Sequence, residues 1–339
     1  MFNYYHQLIR ILILKGKRIM EPIIHPNELT DHPEWNESYY LAFYDRKKEI
    51  GAVSRLGYKP NKKEAMTFFF LFLPDGSGGG YFQENKLKEF NDILKVGGMT
   101  HGWNSDGTWN YTFEGNVIFV EDSENLPKVR QNPKLISATS KVELDISFDP
   151  INKVYEYSKH MTEESLELGK KAGDKHWEQM AKINGRLKIG NEEFKFDDII
   201  GQRDHTYGVR DWTGVGNWLY YVVWFDENLA VNPAAIIGDD GKLSTGGFLY
   251  KNGKNIPLKT IKILDQTFRE DGLMPVSSKL ELIDNNDDRH NLTAKVGQII
   301  PVPFEDKSGQ KSILVQSFGN FELGQRKDGY GTFETLRRE

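Results

Sequence analysis

The sequence predicts an all-β protein made of two antiparallel β domains, each a barrel or a sandwich, with few short helices. Apolar and polar residues alternate over 142–148 (VELDISF), which is typical of a half-buried antiparallel strand. The run 218–225 (WLYYVVWF) is apolar on both faces, so in a barrel one face should point into the lumen and the other should pack outward. Residue pairs at 240–241 (DG) and 252–253 (NG) are typical of hairpin turns between short strands.

Further strands and two helices follow from the same kinds of pattern. Strands are predicted at 39–45, 50–56, 67–73, 109–120, 176–188, 259–265, 278–284 and 312–317. A helix is predicted over 84–95, because Leu87, Phe90 and Leu94 share one helical face ahead of two glycines. A second helix is predicted over 162–171, where a threonine that can cap the helix is followed by two glutamates.

The second predicted helix marks the expected domain boundary. The N-terminal domain should span 23–172 and the C-terminal domain 173–339, and both are close to a common domain size. The glycine-rich stretch 74–80 is expected to be a flexible loop of the first domain, because it lacks the sequence context of a phosphate-binding loop. The charged motif at 203–212 (RDHTYGVRDW) is assigned to the C-terminal domain.

Composition excludes several classes of function. The 339-residue chain has a net charge of -5 with acidic and basic residues interspersed, so nucleic acid is not an expected partner. It contains no cysteine, which excludes disulfides, thiolate metal sites and a cysteine nucleophile. The mean hydropathy is negative, and the longest apolar runs are far shorter than a membrane span. We expect a cytoplasmic protein that binds a hydrophobic small molecule; the sequence does not decide its oligomeric state.

Residues 1–22 are expected to lie outside the fold. The apolar run 8–14 is followed by basic residues within 15–18, which is the reverse of the charge order in a secretory signal. Two explanations remain open. The domain could begin at Met20, with the preceding residues reflecting the choice of start site, or residues 8–18 could make peripheral contact with a membrane surface.

The densest cluster of charge in the chain is the motif at 203–212. Two arginines, two aspartates and a histidine fall within nine positions, between apolar strand-forming segments. Buried charges are costly unless they are paired or hydrogen-bonded, so the motif is either a structural ion network or a working site. Alternate residues of an extended chain face opposite sides, which separates Asp204 from His205. Gly208 marks a position where a bulge could change this parity.

Acid–base chemistry is the function that the motif favours. Burial among aromatic residues would raise the pKa of Asp204 and keep it protonated, as a proton donor to an alkene or a carbonyl requires. His205 or Asp211 could relay protons or activate water, while Arg203 and Arg210 would tune the aspartate pKa values. The candidate pocket residues are the aromatic side chains Tyr207, Trp212, Trp218, Tyr220 and Trp224. Such residues line apolar pockets and can stabilise a carbocation, but an ordinary aromatic core would look the same.

Motifs for metals and cofactors are missing from the sequence. The histidines show no HxH or HExxH spacing, and there is no dinucleotide-binding, P-loop or G-x-S-x-G motif. We therefore expect chemistry that requires neither a metal ion nor an organic cofactor.

The central motif also resembles that of a known group of proteins. The run 204–208 (DHTYG) resembles the Asp-His-x-Trp-Gly element of the hydroxyneurosporene synthase (carotenoid 1,2-hydratase) and AttH-like superfamily, with Tyr207 in place of the more usual tryptophan. The resemblance covers about residues 30 to 335. The supporting stretches are 35–40 (WNESYY), Arg55, Gly57, Pro60, Asn61, 176–179 (HWEQ), Gly185 and 329–334 (GYGTFE).

The resemblance implies two lipocalin-like (calycin) antiparallel β domains in tandem. Relatives with this architecture hydrate carotenoid double bonds, cyclise prenylated rings or polyketides, or carry lipids. The expected function is therefore an acid–base enzyme that hydrates, cyclises or isomerises a double bond of an isoprenoid-like or polyketide-like substrate in a β-barrel pocket, with Asp204 as the proton donor. The alternative is a non-catalytic carrier of a lipid or an isoprenoid.

Overall fold

The computed structural model describes residues 23–91, 93–173 and 175–339. The predicted basic and apolar segment 1–22 lies outside the described residues. Nineteen strands and one α-helix are assigned in the described part of the chain, together with a few short 3₁₀ turns. All strand pairs are antiparallel, and they form two separate sheets. No described helix has the length and apolar character that crossing a membrane would need.

The first sheet is a ring of eight strands with a short extension. Its elements are β1 (Trp35–Asp45), β2 (Ile50–Lys59), β3 (Glu64–Phe72), β4 (Gly78–Lys86), β5 (Lys95–Val96), β6 (Met99–Trp103), β7 (Trp109–Val120), β8 (Ile136–Pro150), β9 (Tyr155–Glu156), β10 (Lys175–Ile189) and β11 (Glu192–Val209). They pair in the order β4-β3-β2-β1-β11-β10-β8-β7-β6-β5, with β9 beside β10. Because β4 also pairs with β7, the eight strands from β4 to β7 close into a barrel.

The second sheet is a closed barrel of eight sequential strands. It contains β12 (Asn217–Asp226), β13 (Leu229–Ile237), β14 (Leu243–Lys251), β15 (Lys254–Phe268), β16 (Pro275–Asp284), β17 (Arg289–Glu305), β18 (Lys311–Leu323) and β19 (Arg326–Arg338). Each strand pairs with its neighbours in sequence, and pairing of β12 with β19 closes the ring. The predicted hairpin turns at 240–241 and 252–253 connect β13 to β14 and β14 to β15.

The expected boundary after residue 172 falls within the first sheet. Strands β10 and β11, which follow that position, pair with β8 and β1, so they complete the first barrel. The charged motif therefore begins on the last strand of the first barrel, and the second barrel begins at Asn217. The boundary was predicted too early because the helix interrupts the run of strands, as a domain linker would. The strands after the helix nevertheless pair with the first sheet over a long distance in sequence.

One of the two predicted helices is confirmed. Helix α1 (Glu163–Gly169) begins after Thr162, whose side chain accepts a hydrogen bond from the Ser165 backbone N–H. The prediction of a helix over 84–95 is wrong, because β4 continues to Lys86 and β5 occupies Lys95–Val96. The apolar residues that suggested helical spacing, Leu87, Phe90 and Leu94, pack instead against the core of the first barrel.

The glycine-rich stretch is shorter as a loop than predicted. Gly78, Gly79 and Gly80 belong to β4 and pair with the end of β7. A Cβ on Gly78 would lie 2.7 Å from the Ser123 Cβ, and one on Gly79 would lie 2.9 Å from the Phe119 ring. These glycines are therefore needed where β4 meets β7, because larger residues would hold the two strands apart.

Strand β12 has the two covered faces that its sequence predicts. Leu219, Tyr221 and Val223 pack inside the second barrel. The alternate residues of β12, among them Trp218 and Trp224, join an apolar cluster with outward-facing residues of the first barrel. The interior of each barrel is filled by its own apolar cluster, and the third large cluster lies between the barrels.

Closure of the second barrel leads to a test at Gly331. A Cβ at this position would lie 1.9 Å from the Val222 carbonyl oxygen on β12. We expect Gly331→Ala to lower the free energy of unfolding by about 2 kcal/mol or more, because the two closing strands would have to separate. Urea denaturation monitored by circular dichroism measures the change.

Gly102→Ala is the matched control for that measurement. Gly102 lies in β6, and its nearest neighbour would be 3.5 Å from the added Cβ. We expect a change of less than about 0.5 kcal/mol. Equal effects of the two substitutions would contradict the role assigned to Gly331.

Candidate active site

A cavity of about 440 Å³ lies between the two barrels. Its walls come from the outward faces of both barrels, and the segment that contains α1 covers one side. The expected location inside a barrel is thus corrected, since the barrel interiors are filled by side chains. Aromatic residues from both barrels, including Tyr40, Trp218 and Tyr220, line the cavity together with ionisable groups.

Strand alternation on β11 decides which motif residues reach the cavity. Asp204 lines it and lies directly opposite Tyr40 on β1 and Glu178 on β10. The next residue, His205, lies opposite Tyr39 and Trp177 and faces the other side of the sheet. Asp204 and His205 therefore belong to two different environments, as the parity of an extended strand predicts.

Asp204 carries a half-buried carboxyl group at the cavity wall. Among the described residues, no hydrogen-bond donor or ion-pair partner reaches its carboxylate. Burial raises the pKa of Asp204 to about 6, although the positive charges of Arg210 and Arg55 oppose the rise. The side chain is thus available to a ligand and changes its protonation state close to neutral pH.

Glu178 lies behind Asp204 and is fully buried. Its Oε2 accepts a hydrogen bond from the Tyr220 hydroxyl, whereas its Oε1 has no partner. Burial, followed by the nearby charge of Asp204, raises the pKa of Glu178 well above its ordinary value. Glu178 therefore keeps its proton to a higher pH than an ordinary glutamate does, next to the carboxyl group of Asp204.

Glu334 contributes a third carboxyl group, half-buried, from the second barrel. Trp218 Nε1 donates to Glu334 Oε1 at 3.0 Å, and Gln316 Nε2 donates to Oε2. The hydroxyl of Tyr40 donates to Gln316 Oε1 at 2.6 Å, which links the first barrel to this group. Burial raises the pKa of Glu334 to about 7, despite these hydrogen bonds and the charge of Arg210.

Two arginines complete the polar wall of the cavity. The Arg210 guanidinium lies 4.6 Å from the centre of the Trp212 ring, and the Arg55 guanidinium lies 5.5 Å from the same ring. Arg55 donates to Asn36 Oδ1 at 2.9 Å. Burial lowers the pKa of Arg55 to about 9, with a further contribution from the positive charge of Arg210.

His176 also lines the cavity and contributes an imidazole. Its Nδ1 is 2.7 Å from Thr206 Oγ1, and its Nε2 is 3.7 Å from Glu178 Oε2. The Tyr157 ring packs edge-on against the imidazole, with ring centres 4.6 Å apart. The imidazole therefore connects the cavity to the carboxyl pair formed by Glu178 and Asp204.

Several predicted site residues lie elsewhere. Arg203 donates to Gln179 Oε1 and lies over the Trp109 ring on the inner side of the first barrel. His205 Nε2 is 2.7 Å from Glu37 Oε1. The expectation that His205 works beside Asp204 is thus corrected, because the sheet separates the two side chains.

Other residues of the motif have structural surroundings. The Asp211 carboxylate accepts hydrogen bonds from the Thr213 and Gly214 backbone N–H groups, so it holds a turn between the barrels. Tyr207 packs in a small cluster with two tryptophans at the end of the first barrel. Trp224 packs between the barrels and does not line the cavity. Of the predicted aromatic residues, Trp212, Trp218 and Tyr220 line the cavity.

Two groups of side chains among the described residues have donor atoms close enough together to hold one metal ion. The first is His25, Glu37 and His205, and the second is His176, Glu178 and Asp204. In the first group, His25 Nδ1 and His205 Nε2 each lie 2.7 Å from the same Glu37 oxygen. We interpret that group as a hydrogen-bonded strut between the segment before β1 and the first barrel.

Sequence reasoning did not assign roles to Glu178, Glu334, His176 or Arg55. A signal for them was present, since all four fall within the stretches that carry the family resemblance. They come from β2, β10 and β19, so only the folded chain shows that they meet at one cavity.

The arrangement is suited to proton transfer in an apolar environment. An acid with a pKa near the working pH is the most effective proton donor, and Asp204 meets this condition. The cavity is lined by aromatic rings that can stabilise positive charge on a substrate. The carboxyl group of Glu178 and the imidazole of His176 lie close enough to Asp204 to exchange a proton with it.

Comparisons with known proteins agree with this architecture. A family model described as Domain of unknown function (DUF7064) matches residues 24–339. The chain is similar to the structure of an AttH-like protein from Nitrosomonas europaea, with 11% identity, a TM-score of 0.60, and coverage of 94% of this chain and 98% of that chain. No curated protein matches the chain.

Two further solved structures are also similar to the chain. Kievitone hydratase from Nectria haematococca shares 12% identity and a TM-score of 0.58, over 89% of this chain and 88% of that chain. CghA shares 9% identity and a TM-score of 0.53, over 90% of this chain and 87% of that chain. The likeness to these three structures confirms the predicted tandem lipocalin-like fold.

The raised pKa of Asp204 predicts a specific pH dependence of stability. The folded protein holds this proton up to about pH 6, whereas the unfolded chain releases it near the ordinary value of 3.8. The free energy of unfolding should therefore fall as the pH rises from 4 to 6 and then level off, by about 2–3 kcal/mol from this group. In Asp204→Asn that part of the fall should vanish.

Urea denaturation of the wild type and of Asp204→Asn at several pH values between 4 and 8 measures the effect. The difference between the two curves isolates Asp204 from the other carboxyl groups of the cavity. Parallel curves would show that Asp204 titrates with its ordinary pKa.

Proposed function

We propose that this chain, which belongs to the family described as Domain of unknown function (DUF7064), is a cofactor-independent acid–base enzyme that acts on a double bond of a hydrophobic substrate. The observation that carries the proposal is the carboxyl group of Asp204, which lines an aromatic cavity, has no hydrogen-bond or ion-pair partner among the described residues, and has a pKa of about 6. Such a group stores a proton in an apolar environment, where proton donation to a carbon atom is most effective.

Hydration is the simplest reaction for this arrangement. Asp204 transfers its proton to one carbon of the double bond, which forms a C–H bond and leaves a carbocation on the other carbon. The oxygen of a water molecule then bonds to the cation and releases a proton. That proton returns to the Asp204 carboxylate, directly or through His176, so the net reaction adds one water to the alkene.

Related outcomes need only a different fate for the same cation. Loss of a proton from a neighbouring carbon to Asp204 would move the double bond, which is an isomerisation. Attack by a second double bond of the substrate would close a ring and move the positive charge to another carbon, and loss of a proton from a neighbouring carbon to Asp204 would then complete a cyclisation. The aromatic rings of Trp218 and Tyr220 stabilise the cation in each case, because their faces carry negative partial charge.

The carboxyl group of Glu178 acts on Asp204 and does not line the cavity. Its neutral form can share a proton with Asp204, while the hydrogen bond from Tyr220 fixes its orientation. Glu178 is therefore a positioning residue in this proposal. The role first expected for His205 passes to His176, which lies on the cavity side of the sheet.

Support from known proteins concerns the type of reaction. One structural neighbour is named a hydratase, and another neighbour, CghA, was also solved together with Sch210972. The resemblance of the 204–208 motif to carotenoid hydratases favours an isoprenoid-like substrate, and a polyketide-like substrate is the second class that the family resemblance implies.

Asp204→Asn tests the proposal. The wild type is incubated in ¹⁸O-labelled water with a panel of prenylated phenols, linear isoprenoids and polyene polyketides, and products are followed by mass spectrometry. We expect a labelled hydration product, or an isomer of the substrate, from at least one class. Asp204→Asn should lower kcat by about 100-fold or more, because the proton donor is removed.

Asp211→Asn is the matched control within the same motif. Its carboxylate caps a turn outside the cavity, so this substitution should leave kcat unchanged while it affects thermal stability. A folded Asp204→Asn protein with wild-type turnover would overturn the proposal. The absence of any product from every class in the panel would also count against it.

A further inference from the structure

The guanidinium group of Arg210 lies at the cavity wall and has no ion pair with a carboxylate of the described residues. Its Nη1 donates to Ser38 Oγ only at 3.4 Å, and its Nε is buried without a hydrogen-bond partner. A buried charged group is costly in this state, and an unmet donor in a cavity is available to a ligand.

The nearby acidic groups do not meet this need. Both oxygens of Glu334 already accept hydrogen bonds, from Trp218 and Gln316. Asp204 attracts Arg210 electrostatically, but no hydrogen bond joins the two side chains. The guanidinium is instead held by Trp212, whose ring it covers. Stacking of this kind fixes the plane of the group and leaves its N–H edge free for an acceptor.

Arg55 places a second positive charge at the cavity, which makes binding of an anion there more favourable. Arg55 lines the same cavity and lies over the same indole ring as Arg210. Its position is built into β2, because a Cβ on Gly57 would lie 2.4 Å from Arg55 Nη1. Burial is the main cause of the lowered pKa of Arg55, and repulsion by the positive charge of Arg210 lowers it further. An anionic group bound between them would relieve this repulsion.

The proposed reaction also favours an anionic group near the two arginines. A carbocation that forms in a cavity with two guanidinium groups is destabilised by them, since charges interact strongly where water is excluded. An anionic group on the substrate would neutralise the arginines before the cation forms. The neighbouring carboxyl groups favour an anion of a single charge, because a more highly charged group would meet repulsion from Asp204 and Glu334.

We propose that the substrate of this cavity is an apolar molecule that carries one carboxylate, which the N–H edges of Arg210 and Arg55 bind. The planar fork of a guanidinium matches the two oxygens of a carboxylate, so the pairing also fixes the orientation of the substrate. The inference rests on the proposed function only for the identity of the cavity as the reaction site. Binding of the carboxylate is separate from proton transfer by Asp204.

Binding of matched ligands tests the inference. Farnesoic acid, farnesol and farnesyl monophosphate share one apolar chain and differ in the terminal group. Isothermal titration calorimetry with the full chain should show that the acid binds at least about tenfold more tightly than the alcohol. Arg210→Gln should remove this preference by weakening the acid about tenfold, while the affinity for farnesol stays within about twofold.

Arg337→Gln is the matched control. Arg337 also stacks on an aromatic ring, at 4.3 Å from the centre of Phe268, and also has a buried Nε without a hydrogen-bond partner. It does not line the cavity, so its replacement should leave the affinity for farnesoic acid unchanged. The contrast separates a loss of the binding group from a general loss of stability.

The outcomes distinguish this inference from the proposed function. Equal binding of acid and alcohol, or binding of neither, would overturn the carboxylate proposal, and tighter binding of the monophosphate would overturn the assignment to a singly charged anion. Asp204→Asn should bind farnesoic acid at least as tightly as the wild type, because a competing negative charge is removed. If that result is obtained but Asp204→Asn retains wild-type turnover, the acid–base proposal fails and the binding site stands.

Discussion

The alternation of side chains along three neighbouring strands organises this protein. On β1, β11 and β10, the row formed by Tyr40, Asp204 and Glu178 faces the second barrel, and the adjacent row faces the interior of the first. The pleat of a strand allows no intermediate position, so one shift in register would exchange the two rows. The cavity chemistry and the packing of the first barrel therefore depend on the same register.

The ionisable groups of the cavity owe their properties to burial between the barrels. Asp204, Glu178 and Glu334 all have raised pKa values, and in each case loss of contact with water is the largest cause. The outer faces of the barrels form this water-excluded cavity, because the interior of each barrel is filled by an apolar cluster. Ionisable groups that are buried without ion-pair partners lower the stability of the fold. The proposed proton transfer depends on the same groups being free to react.

Much of the fold could be predicted from the sequence, because strands and hairpin turns are local signals. The alternation at 142–148 and the two-faced run 218–225 correspond to β8 and β12. The helix predicted over 84–95 failed because apolar residues that cover a barrel end can share helical spacing by chance. The division after residue 172 failed because the return of β10 and β11 to the first barrel is a long-range pairing.

The candidate site could be predicted only in part. Asp204 and three of the five aromatic residues lie at the cavity, and the local parity of the strand already separated Asp204 from His205. Glu178 and Glu334 could not be predicted as partners of Asp204, because nothing in the local sequence shows that β10 and β19 approach β11.

The outward faces of the two barrels meet through Tyr40, Trp218 and the other apolar residues of the shared cluster. Either barrel produced alone would expose its part of this cluster to solvent as a large apolar patch. We therefore expect the two barrels to be stable only as parts of one polypeptide, although their sheets are separate.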